Sequence, residues 1–153
     1  MRKSVFSVLM CLAVIFSLCA CSAEKELILG GFCKKVSFTM DEVTVKGELN
    51  FKNKDDITFT IIEPENLEGI IFTESQIKKD EITINYEKLK DESPVFLLLS
   101  VIKNIAENQI YLPLEGEFAA TGVVSSAEYK VIFDCEKEEI LTLQAGKFTY
   151  NFE

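Results

Sequence analysis

Ser93-Pro94-Val95-Phe96-Leu97-Leu98-Leu99-Ser100-Val101-Ile102-Lys103-Asn104-Ile105-Ala106-Glu107-Asn108 is the stretch whose reading decides the fold. A serine followed by proline is a helix-opening pair, because proline fixes φ near its helical value and its missing N–H is not needed in the first turn. Val95, Leu98, Leu99, Ile102, Ile105 and Ala106 then fall on one helical stripe, and Leu97 and Val101 widen it. Only Ser100, Lys103 and Glu107 are left as a narrow polar face, with Phe96 beside them either exposed or covered by another element. The spacing predicts one helix ending near Asn108. A stripe this broad needs a concave apolar surface around it.

That surface must be β-sheet, because period-two alternation dominates elsewhere. Val36, Phe38 and Met40 alternate with Ser37 and Thr39. Val43, Val45, Leu49 and Phe51 alternate with Thr44, Lys46, Glu48 and Asn50. Residues 53–56 (NKDD) read as a turn, after which Ile57, Phe59 and Ile61 continue toward Pro64. Residues 64–69 (PENLEG) read as one helical turn closed by Gly69, and residues 70–73 return to strand. Ile82, Ile84 and Tyr86 mark the next strand. Residues 118–124, 127–135, 140–143 and 148–152 follow at hairpin spacing. About nine strands joined by short polar turns argue for an antiparallel sheet. The expected class is α+β, mainly antiparallel β: a curved, unclosed barrel or half-barrel wrapped around one main helix.

The start of the chain has a different character. Arg2 and Lys3 precede an apolar run over residues 5–18 broken only by Ser7 and Ser17, the charge-then-apolar plan of an export signal, and too short for a comfortable membrane span. Leu18-Cys19-Ala20-Cys21 resembles the bacterial lipobox, in which a small residue marks cleavage ahead of a cysteine whose thiol carries diacylglycerol. The resemblance implies a lipoprotein anchored through Cys21, because two or more acyl chains give stable membrane attachment. The expected organisation is a signal over 1–20, a lipidated cysteine and tether over 21–31, and one domain over 32–153. Removing Arg2 and Lys3 from 16 cationic residues leaves 14, all lysine, against 25 carboxylates, a net charge of −11. About 44% of the remaining residues are apolar or aromatic, the globular level.

The order of elements also resembles the LolA/LolB-like lipoprotein-carrier superfamily. The residues concerned are the paired N-terminal strands, the strand ending at Glu63-Pro64, the turn with Leu67 and Gly69, the strand over 82–86, the helix after Ser93-Pro94 and the closing run of strands. The resemblance implies an unclosed barrel with a helical lid and an acyl-chain cavity between them. No N-terminal helix of the family's length fits ahead of the first strand here, so the lid is expected to be thin.

Catalytic chemistry is sparse. There is no histidine, which removes the usual base near neutral pH, the commonest metal ligand and the Ser-His and Cys-His pairs. Ser75-Gln76-Ile77-Lys78 and Ser100-Val101-Ile102-Lys103 match a Ser-x-x-Lys pattern, but neither has the companion motifs of that enzyme class. Acidic groups at Asp55-Asp56, Asp80-Glu81, Asp91-Glu92 and Glu136 with Glu138 and Glu139 lack the spacing of a calcium loop and read as solvated hairpin ends. No metal or cofactor is expected, and an acidic chain without arginine after the signal disfavours nucleic acid. Cys33 and Cys135 either form a disulfide, permitted outside the cytoplasm, or stay as two thiols.

The expected function is that of a non-enzymatic, extracytoplasmic, membrane-anchored lipoprotein. It would hold a hydrophobic ligand (an acyl chain, a lipid or the lipid of another lipoprotein) in a slot lined by Phe59, Phe72, Tyr86, Phe96, Leu98, Ile102 and Phe133. The alternative is a structural or protein-binding envelope module whose core is filled and whose partner docks on a strand edge.

Overall fold

Alternation is converted into sheet wherever one face can be buried. In the computed structural model, which describes residues 24–85 and 93–153, Val36 and Phe38 point inward while Cys33 and Lys35 are exposed. The strands are β1 (Glu24–Glu26), β2 (Phe32–Met40), β3 (Val43–Asn53), β4 (Asp56–Glu63), β5 (Ile71–Phe72), β6 (Gln76–Lys79), β7 (Ile82–Asn85), β8 (Tyr111–Pro113), β9 (Glu117–Val124), β10 (Ala127–Asp134), β11 (Glu139–Ala145) and β12 (Phe148–Phe152). A 3-10 turn over Glu65–Leu67 leads to Gly69, whose φ of 80° is the left-handed conformation expected there. The nine strands read from alternation are all present. β1, β6 and β8, of three or four residues each, were too short to announce themselves by pattern and owe their shape to their pairing partners.

Ten strands form one antiparallel sheet in the order β7-β6-β5-β4-β3-β2-β12-β11-β10-β9, left open between β7 and β9, while β1 and β8 form a separate ribbon. Helix α1 (Pro94–Glu107) connects the two halves and lies inside the curve. From Pro94 to Leu99 every side chain is buried, and Val101, Ile102 and Ile105 complete the rod. Asn108 ends it, its backbone N–H donating to the Asn104 carbonyl. Phe96, the residue that helical geometry left outside the main stripe, is covered: its ring stands edge-on to Phe72 at 5.5 Å between centroids and only 3% of it is exposed.

Because neighbouring strands are antiparallel, the turns alternate between two ends of the sheet. One end, here termed proximal, carries the turns at 54–55, 73–75 and 135–138 and the C-terminus of α1. The distal end carries those at 41–42, 64–70, 80–81, 125–126 and 146–147. The β1–β8 ribbon sits at the proximal end, where Lys25 pairs with Glu138 at 2.8 Å. Residues 24–27, within the segment expected as a tether over 21–31, are thus bonded to the domain. Leu27 is buried, its N–H donates to Ile110, and β1 pairs with β8 in register Glu24 to Pro113.

Two distal hairpins close with two-residue turns whose central residues all have positive φ: Asp41 (46°) and Glu42 (72°), and Ser125 (49°) and Ser126 (66°). This is the geometry that suits the right-handed twist of hairpin strands and that glycine or asparagine normally supplies.

Candidate functional site

The proposed slot residues converge, but on one another. Phe59, Leu98, Ile102 and Phe133 are fully buried, Phe96 nearly so and Phe72 half-buried, all within one continuous apolar cluster. Tyr86 lies outside the described residues. Phe59 packs against Phe38 at 6.1 Å, and Phe38 against Tyr150 at 5.4 Å. The space between sheet and helix is thus occupied by the side chains expected to line it. Three surface clefts among the described residues are lined by other side chains. One of about 260 Å³ lies between Ile28–Phe32 and Lys137–Ile140. A second of about 320 Å³ lies on the other side of residues 26–29 against the end of α1. A third of about 190 Å³ lies between Asp55 and Lys103.

Two tyrosines fix the helix. The Tyr150 hydroxyl donates to the Pro94 carbonyl and the Tyr129 hydroxyl donates to Asn104 Oδ1, each at 2.7 Å. Burial raises the pKa of both phenols, Tyr150 far above the ordinary range. These anchors were not foreseen, since a tyrosine in a strand alternation is indistinguishable from any apolar residue of the same phase.

Of the two Ser-x-x-Lys matches, the one at Ser100 places its lysine in an ion pair. Lys103 donates to both Glu74 oxygens at 2.8 Å, and that bond raises its pKa. Asp134 caps the 135–138 turn by accepting from the backbone N–H groups of Glu136 and Lys137; the Lys137 N–H is the leading cause of its lowered pKa. Among the described residues no cluster of three or more His, Cys, Asp or Glu side chains has a metal-binding arrangement. Cys33 and Cys135 are free thiols and not a bridge. Cys33 is exposed on the outer face of β2 while Cys135 is buried at the end of β10, so the sheet stands between them. Desolvation raises both pKa values, with Glu48 adding to the effect at Cys33, so neither is an activated thiolate.

What the molecule does present is unpaired edge and exposed apolar surface. β7 and β9 are the sheet's two edges, and residues 118–124 of β9 carry no charge. At the distal end, Met40, Val43, Ile62, Ile82 (66%) and Val123 (62%) are exposed. Met40 shares the inward phase of Val36 and Phe38, yet it is exposed at the tip of β2.

Among the described residues no helix is long and apolar enough to cross a membrane. No family model, curated protein or solved structure matches the chain.

Proposed function

We propose that this chain is a non-enzymatic lipoprotein module, anchored through Cys21 on the outer side of a bacterial membrane, that docks another envelope protein at its distal end. The observation that carries this reading is that Met40, Val43, Ile62, Ile82 and Val123, at the distal ends of β2, β3, β4, β7 and β9, are exposed apolar side chains. Exposed apolar groups along one end of a sheet offer surface to a partner, and the uncharged β9 edge at Val123 offers main-chain donors and acceptors to an added strand.

An unclosed sheet around one helix is also the scaffold of the LolA/LolB-like carriers, and that likeness supports the competing reading of an acyl chain held against α1. Such a ligand would have to displace Phe59, Phe96, Leu98, Ile102 and Phe133, which fill the site themselves. The filled core therefore favours docking over carriage.

Photo-crosslinking side chains placed at Val43, Ile82 and Val123 in the membrane-bound chain test the proposal. The same protein should be trapped from the distal positions and not from the exposed Lys130 within β10, and a Thr121→Pro change in the β9 edge should reduce the adduct at Val123. Equal trapping at Lys130, or none anywhere, contradicts it.

A further inference from the structure

We propose that the β1–β8 ribbon rests on the phospholipid bilayer, holding the proximal end against the membrane and turning the distal rim away from it. This rests on the reading of Cys21 as the lipidated residue. Only Ser22 and Ala23 separate that cysteine from β1. An extended chain advances at most about 3.5 Å per residue, so Glu24 lies within roughly 10 Å of the acylated cysteine. Glu24 is not the start of a free linker. Through Pro113, the Lys25–Glu138 pair and the Leu27 N–H bond to Ile110, it belongs to the folded body. The body cannot stand off from the surface to which its first strand is tied.

The ribbon's outward face suits that position. Lys25 and Leu27 turn toward the domain, while Glu24, Glu26 and Ile28 turn out. Ile28 is 76% exposed, and Tyr111, opposite Glu26, and Leu114, beside the Glu24–Pro113 pair, are each 50% exposed. An exposed tyrosine with apolar neighbours is the kind of side chain that settles at headgroup depth, its ring among lipid and its hydroxyl in water. The exposed carboxylates of Glu24, Glu26 and Glu115 limit entry to that depth and are repelled by anionic lipid. The contact is therefore shallow and closer on a neutral bilayer than on an anionic one.

The chain contains no tryptophan, so each introduced indole reports alone. Full-length lipidated protein carrying Tyr111→Trp or Leu114→Trp is reconstituted on phosphatidylcholine vesicles containing doxyl-labelled lipid, beside Ile82→Trp and Val123→Trp at the distal end. All four positions are exposed, so the core is untouched. The proximal indoles should shift to shorter wavelength and be quenched severalfold more than the distal ones, with the difference reduced when phosphatidylglycerol is added. Protein that floats with vesicles but is quenched equally at both ends overturns the ribbon contact while leaving the anchor intact. Protein that does not float overturns the anchor and the contact with it.

Discussion

The Tyr150 hydroxyl on β12 donates a 2.7 Å hydrogen bond to the carbonyl of Pro94, pinning the first turn of the helix to the middle of the sheet. A buried phenol carries a desolvation cost, and it is met by the second lone pair of a carbonyl that, at the first position of the helix, already receives the Leu98 N–H. Tyr150→Phe removes one of that carbonyl's two hydrogen bonds and should lower stability by about 0.5–1.5 kcal/mol, read as a lower urea midpoint with an unchanged slope.

The same pair predicts an alkaline limit. A phenol titrates near pH 10 in the unfolded chain, and burial raises it in the folded state, so the folded chain keeps its proton where the unfolded one has lost it. The stabilisation is complete below about pH 10 and is lost as pH rises above it. Tyr129, raised in the same direction, adds to the fall. Urea midpoints measured from pH 8 to 11 should decline above 10, and less steeply in Tyr150→Phe.

Gly47 sits in β3 with the Phe59 ring and the Thr60 carbonyl against its α-carbon, where an added methyl would collide with both. Gly47→Ala should cost about 1–3 kcal/mol by overpacking. A substitution without effect on thermal melting would refute this packing.

The left-handed turn residues predict the opposite sign. Glu42→Gly and Ser126→Gly place the residue that tolerates positive φ where a side chain now pays about 1 kcal/mol, and each should raise the melting temperature. A fall in either melting temperature would count against the turn geometry.

The two thiols separate cleanly. A maleimide should label Cys33 in the folded protein and reach Cys135 only after denaturation, without reductant. Absence of both labels in denaturant would establish a disulfide and overturn the assigned positions.

Much of the fold was legible because burial on one face writes itself into alternation. Phe38, Leu49, Phe59 and Tyr150 sit at the phase their neighbours predicted, and the 93–108 stretch could bury its wide stripe only inside a sheet. β1 and β8 were not legible, since three residues carry no period and Glu24–Glu26 read as solvated linker until paired with Tyr111–Pro113. Whether the slot residues line a cavity or fill it was not legible for a physical reason: the two cases have the same composition. Which they do depends on whether Phe96 and Phe72 meet, a relation between positions 24 residues apart that no local pattern encodes.

The claim that the helix fills its sheet is tested most directly by native mass spectrometry of the full-length protein released gently from membranes. The account predicts the mass of the chain with its covalent anchor alone. A further noncovalent lipid, one per chain and lost when Leu98 or Phe133 is enlarged or made polar, would contradict it and return the molecule to the role of a carrier.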